Sequence, residues 1–196
     1  MRIKKINIAV AGDRGSFSEE AALLYGQRMD IKSDLIFAID MERVLSRVEK
    51  GKADLGIFPV VNSRGGLVQT AFEAMGRHLF ELVDEIWLDV RQCLIAKPGL
   101  KKSQIKKIVS HPQALSQCER YLAKEFSGIP LQEWEDTAKA ARDLAQGVLQ
   151  PETAIIAPAR CAKFYNLRVL ERSIEDNHPN LTTFIVVKKH AGKTRK

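Results

Sequence analysis

The chain has 196 residues, 45% of them apolar and 28% charged, with a formal net charge of +7 at neutral pH. That length supports one domain or two small lobes with a real core. No apolar run approaches the ~20 residues that cross a bilayer, so no membrane role is expected. Cys93, Cys118 and Cys161 form no CxxC pair, and no set with His78, His111, His178 or His190 at metal-ligand spacing. They read as core thiols of a reducing, cytoplasmic compartment, with no metal or disulfide expected. The positive excess implies an anionic partner. Part of it falls in Lys188, Lys189, Lys193, Arg195 and Lys196, and residues 189–196 read as a solvated basic tail. Nucleic acid is not the expected partner, because no recognition motif and no row of aromatics among basic residues is present.

In chain order, strand and helix patterns alternate. The first eleven residues carry basic residues and a short apolar run, too short for a signal peptide, and read as a strand over Ile6–Ala11. A helix over Ser16–Gln27 follows, capped by Ser16 or Ser18 with Glu19 and Glu20 in its first turn. Leu35–Ile39 reads as a strand and Met41–Lys50 as a helix stopped by Gly51. The apolar run entered from Ala53-Asp54-Leu55 reads as a buried strand that ends at Asn62-Ser63. These are two good N-cap residues, followed by Gly65-Gly66 and a helical pattern at Leu67, Val68, Ala71, Phe72 and Met75. A strand turning into a helix in this way offers backbone N–H groups and a positive helix end to a carboxylate or phosphate.

Beyond Gly76, a long extended segment runs over Phe80–Ala96. Strands then read at Lys107–Ser110, Leu131–Trp134, Thr153–Ala157, Arg168–Arg172 and Thr182–Val187, with helices at Gln113–Glu125, Thr137–Gln146 and Ala159–Phe164. Repeated strand–helix units predict an α/β fold with mostly parallel sheets and helices on both faces. The long extended segment and the late return strand predict two lobes within one domain. One lobe would hold about 1–80 plus 174–190 and the other about 88–172. Ligands of such folds sit beyond the carboxyl ends of strands, here in a cleft between lobes.

Several polar stretches fall just past predicted strands. They are Gly12 to Ser18, Asn62 to Gly66, Ser110 to Gln117, Glu135 to Ala138 and Asn180 to Thr183. No GxGxxG, nucleophile elbow or Ser-His-Asp order is present. Together these stretches offer hydrogen-bond donors and helix starts suited to a small carboxylate, with catalysis by positioned hydrogen bonds.

The same stretches closely resemble the catalytic domain of prephenate dehydratases, in order over nearly the whole chain. Gly12-Asp13-Arg14-Gly15-Ser16-Phe17-Ser18-Glu19-Glu20-Ala21-Ala22 resembles the family's GxxGSFSxxAA, and Pro59 through Val68 is similar to its PIENSxxGxV. Ser110 through Cys118 matches SHPQALxQC without a gap. Glu135-Asp136-Thr137-Ala138 falls at the family's ESTA, and Asp176 through Phe184 at its DNxxNxTRF. The resemblance implies a two-lobed fold like that of type II periplasmic binding proteins. It also implies a lyase of phenylalanine biosynthesis that turns prephenate into phenylpyruvate, losing water and carbon dioxide, with no cofactor or metal. Thr182 is implied as the catalytic threonine near the leaving hydroxyl. Asn62, Ser63, Ser110, Ala114, Leu115, Gln117, Glu135, Thr137, Thr183 and Phe184 are implied at the substrate, a small dicarboxylate.

This sequence departs from the family pattern at three places. Val61 stands for a glutamate, Asp136 for a serine, and Thr183 for the arginine that pairs with a substrate carboxylate. Arg64, beside Asn62, could supply the missing cation. Neither the family's C-terminal ACT domain nor a chorismate mutase segment is expected, so feedback by phenylalanine through that route is not expected either. A homo-oligomer, in the simplest case a dimer, is expected. Two other readings stay open: a prephenate decarboxylase-like enzyme that leaves the ring non-aromatic, and a non-catalytic module that binds a small carboxylate.

Overall fold

The computed structural model describes residues 5–192. They form two compact units, one of residues 5–12, 18–88 and 181–192, the other of residues 13–17 and 89–180. The first unit is a mixed sheet. Its strands β1 (Ile6–Ala11), β2 (Ser33–Ala38), β3 (Leu55–Asn62), β4 (Gly66–Leu67) and β5 (Phe80–Asp89) are interleaved with helices α1 (Phe17–Arg28), α2 (Met41–Glu49) and α3 (Gln69–Met75). The second unit contains strands β6 (Cys93–Ala96), β7 (Lys107–Ser110), β8 (Leu131–Glu133), β9 (Thr153–Ala157) and β10 (Arg168–Arg172). Its helices are α4 (Pro112–Gln117), α5 (Glu119–Glu125), α6 (Thr137–Ala145) and α7 (Ala159–Phe164). The chain then returns to the first unit as β11 (Leu181–Lys189).

The sheet orders are β2-β1-β3-β11-β5, with β4 paired to β3, and β10-β6-β9-β7-β8. β1 pairs parallel with β2 and β3, and β7 with β8 and β9, as strand–helix units require. β11 and β4 pair antiparallel with β3, and β6 with both β9 and β10. In the second sheet of this α/β fold two pairings are parallel and two antiparallel, because β6, which follows β5 with no helix between them, runs against both of its neighbours.

Side-chain alternation explains the cores. Along β9, Ile155 and Ala157 pack with Ala138, Ala141 and Leu144 of α6 and Cys161 of α7. Ala154 and Ile156 on the other face pack with Ala114, Cys118 and Leu122 of α4 and α5. In the first unit Val44, Leu45 and Val48 of α2 pack on Ala9, Phe58 and Val187. Gly56 lets that helix sit close: a Cβ there would stand 2.8 Å from Val44 Cγ1 and 2.9 Å from Val48 Cγ2. All three cysteines are buried and outside any disulfide.

Four sequence expectations change. The extended segment breaks at residues 90–92, where the chain leaves one sheet for the other. The helix expected over Gln113–Glu125 divides at Cys118, and the Asp176 carboxylate accepts the backbone N–H groups of Arg120 and Tyr121 at 2.8 and 3.1 Å to restart it. β11 runs through Lys189, the first residue of the expected tail, while residues 193–196 lie outside the described residues.

The fourth change is the largest. Asn62-Ser63 do not cap a helix. Chain direction reverses through residues 63–65, and β4 pairs back on β3 with Val61 opposite Leu67 and Asn62 opposite Gly66. Gly66 takes φ +73°, the left-handed conformation that closes a three-residue hairpin loop. Asn62 Oδ1 accepts from Arg64 N at 2.9 Å and Gly65 N at 2.7 Å, so the asparagine caps a hairpin turn. α3 begins only at Gln69, and its N-cap Val68 has no side-chain bond. The anion-binding helix start expected here is absent. The glycine pair that suited a helix entry serves a hairpin, once β3 offers a ladder edge.

Candidate active site

The sequence-selected residues fall into two sets, one in each unit. In the first, β3 and β11 run antiparallel with Thr182 opposite Asn62. Asn62 Nδ2 donates to Thr182 Oγ1 at 2.8 Å and to Leu181 O at 3.3 Å, and both side chains are buried. The Asn62 amide is thus held at its oxygen by the hairpin turn and at its nitrogen by β11. Ser63 acts on the backbone: its N–H donates to Leu181 O at 2.7 Å and its Oγ accepts from Leu181 N at 3.0 Å. A hydroxyl that accepts at its oxygen keeps its own proton to donate, so Thr182 is set up as a hydrogen-bond donor. Phe184, two residues on, shares the Thr182 face and is buried. Thr183 pairs with Val61 and stands on the opposite face of β11. Val61 packs on the core of α2 and α3. The structure does not bring Thr183 and Val61 alongside Asn62 and Thr182. Arg64 lies exposed in the hairpin loop next to them.

In the second set, Ser110 ends β7 fully buried, and its Oγ donates to Ile156 O of β9 at 2.6 Å. It is not the helix cap. That role belongs to His111, whose Nδ1 accepts from Gln113 N at 3.3 Å, with Pro112 in the first turn. A ring nitrogen that accepts is deprotonated, which puts the proton of the neutral imidazole on Nε2. Ala114 and Leu115 pack into the core beneath α4. Gln117, at the end of α4, accepts at Oε1 from Asn180 Nδ2 at 3.0 Å and from Gln92 Nε2 at 3.2 Å. Gln92 was not singled out by sequence reasoning. The signal was a lone amide between Val90 and the apolar run from Cys93 to Ala96.

Glu135 is exposed and pairs with Lys139 Nζ at 2.9 Å. Thr137 is buried at the start of α6, and the cap is Asp136, whose Oδ1 accepts from Lys139 N at 2.8 Å. Burial pushes the Asp136 carboxyl above its ordinary range; the bond from Lys139 N opposes this and nearby Asp13 adds to it. Asp13 itself pairs with Arg142 at 2.8 Å. Behind it Gly15, at φ +93°, lies against Cys161, where a Cβ would stand 2.8 Å from the sulfur. His111, Pro112, Glu133, Trp134, Glu135 and Lys139 line an open cavity of about 510 Å³ at the carboxyl ends of β7 and β8. Among the described residues no cluster of His, Cys, Asp or Glu could hold a metal ion.

A sequence profile described as prephenate dehydratase matches residues 8–192. The chain belongs to the prephenate dehydratase family. This member is 36% identical over 188 residues to arogenate dehydratase/prephenate dehydratase 6, chloroplastic, of Arabidopsis thaliana, covering 95% of this chain and 44% of that protein. It superposes on the prephenate dehydratase of Arthrobacter aurescens, solved in complex with L-Phe, with a TM-score of 0.85 at 26% identity, covering 97% of this chain and 63% of that one. The prephenate dehydratase domain thus spans under two thirds of either relative. At 12% identity the lipoprotein Tp32 of Treponema pallidum gives a TM-score of 0.52, covering 96% of this chain and 85% of that one, a likeness of fold alone. No helix among the described residues is long and apolar enough to cross a membrane.

Proposed function

We propose that this chain is a carbon–oxygen lyase that converts prephenate to phenylpyruvate, water and carbon dioxide. The observation that carries the reading is the 2.8 Å bond from Asn62 Nδ2 to Thr182 Oγ1, which leaves the threonine proton for a ligand. In the reaction the ring hydroxyl must leave as water. Thr182 donates a hydrogen bond to it as the carbon–oxygen bond breaks, and solvent supplies the proton that completes the water. The bond to the ring carboxylate then gives its electron pair to the ring, which becomes aromatic as carbon dioxide departs. A positioned donor of this kind accelerates such a step about 100-fold or more. Arg64 is assigned to a substrate carboxylate in place of the family arginine at position 183. Arogenate, the amino counterpart of the keto acid prephenate, is a second substrate reading, favoured by the name of the Arabidopsis relative.

The test incubates purified protein with prephenate and with arogenate. It follows phenylpyruvate by its absorbance in alkali, phenylalanine by chromatography, and carbon dioxide release. T182A is expected to lower kcat about 100-fold while the fold is kept. Carbon dioxide without either aromatic product would replace the reading with a decarboxylase. An inert wild type, or a fully active T182A, would overturn it.

A further inference from the structure

Gln92 joins β5 to β6 and is 3% exposed. Its backbone N–H donates to Oε2 of the buried Glu175 at 2.9 Å, and its Nε2 donates to Gln117 Oε1 at 3.2 Å. The residue is thereby fixed at both ends. With Nε2 committed to that oxygen, Gln92 Oε1 is turned elsewhere. It is buried and has no hydrogen-bond partner among the described residues. A buried amide oxygen left unpaired is a costly arrangement, and native proteins keep few of them.

The register places the residue that carries this oxygen. β6 runs antiparallel to β9, with Cys93 opposite Ala157. The residue before Cys93 therefore stands at the carboxyl end of β9. β9 is parallel to β7, which ends at Ser110. Gln92, Ser110 and the His111–Trp134 cavity thus share one end of the sheet, the end at which α/β folds bind ligands. Its amide partner, Gln117, is one of the residues the family pattern puts at the substrate.

We infer that Gln92 is a ligand-binding residue of this site whose amide oxygen accepts a hydrogen bond from a hydroxyl or amino group of the bound acid. The identity of that acid rests on the function proposed above. A keto oxygen or a carboxylate cannot fill the role, because both are acceptors. Prephenate offers one suitable donor, the ring hydroxyl, and arogenate offers that hydroxyl and an amino group. Sites built to pair a donor discriminate strongly against ligands lacking it.

The experiment compares wild type and Q92M as full chains, with prephenate and with arogenate, after circular dichroism has shown that the variant folds. Kcat/KM is expected to fall about tenfold or more. An equal fall on both acids assigns the ring hydroxyl, and a fall confined to arogenate assigns the amino group. No change on either overturns the inference. A Gln92 that merely positions Gln117 would have no further effect once Gln117 is replaced. Q92M/Q117M must therefore bind whichever acid loses rate in Q92M more weakly than Q117M does in equilibrium titration, and equal binding of that acid also overturns it. Should Q92M not fold, Q92N, which withdraws the amide by one methylene, is read in the same way. If the wild type turns over neither acid, the proposed function fails separately. Prephenate and arogenate then serve as equilibrium ligands, and equal dissociation constants for wild type and Q92M would sink the Gln92 assignment.

Discussion

Asp136 replaces the serine of the family pattern, and the structure gives it the same task. Its carboxylate accepts from Lys139 N at the start of α6, as a serine hydroxyl would, so the departure exchanges one N-cap for another. D136A is expected to destabilise the protein by about 1 kcal/mol, and D136S by no more than about half of that. Because burial raises the Asp136 pKa in the folded state, ionising this group opposes folding. D136S should therefore gain on the wild type as pH rises above the ordinary aspartate value of 3.8. Urea melts of wild type and both variants at pH 4 and pH 7 check both points, and a D136S deficit that grows with pH would refute the electrostatic part. The pairing of Asn62 with Thr182 rests on residues legible in the sequence, since both stand at the ends of readable strands. Gln92 was not legible, because nothing local shows that its amide is buried beside one contributed from 25 residues away.

The helix α2 is held at both ends of its packing face, and each hold makes a prediction. Gly56 of β3 lies under Val44 and Val48, and a methyl there would have to displace branched side chains on a helix also packed on β11. G56A is expected to cost about 1–3 kcal/mol through overpacking. Trimming the neighbour in G56A/V44A should recover part of that loss, and two simply additive losses in thermal melts would refute the steric cause. At the other hold, the largely buried His78 ring bonds Glu42 Oε1 at 2.6 Å through Nε2 and Glu49 Oε2 at 2.8 Å through Nδ1, with Arg77 also on Glu42 at 3.2 Å. Burial works to lower the imidazole pKa, but the two carboxylates outweigh it and hold the group protonated above its ordinary 6.5. The hydrogen bonds from His78 likewise hold both glutamates below 4.5, against a smaller effect of burial. The ion-pair stabilisation is therefore complete between about pH 4.5 and 6.5. It fades as pH rises through the raised imidazole pKa, and as pH falls through the lowered carboxylate values. H78Q should cost about 1 kcal/mol at pH 6, the carboxylates being part-exposed and screened, and clearly less at pH 9. A loss independent of pH would leave only shape as the role of His78. Sequence periodicity made α2 and its strand neighbours plain within a residue or two. It misjudged residues 62–68, because Asn-Ser and Gly-Gly suit a helix start and a hairpin equally. The strand pairing that decides between them is not local information.

At the scale of the molecule, a chain of net charge +7 is proposed to act on an acid that carries two negative charges. Such a pair is drawn together by the whole field as well as by contacts, and salt screens that field over about 10 Å at 0.1 M. Kcat/KM for prephenate should therefore fall several-fold between about 0.01 M and 0.2 M salt, while kcat, which follows binding, should change little. Arogenate carries an added ammonium, so its net charge is smaller and its salt dependence should be shallower. Arg64 separates the local share of the effect from the global one. R64A removes one positive charge of many, so it should leave most of the salt slope intact. As a contact to a substrate carboxylate, however, its loss should raise KM about tenfold or more even at high salt, where the field is screened. Initial rates for the two proteins across the salt range, with both acids, resolve the two shares. A wild-type kcat/KM indifferent to salt would remove steering from the account. An R64A KM that merges with the wild-type value at high salt would show that Arg64 contributes only to the field, and that the carboxylate lost with the family arginine is held by another group.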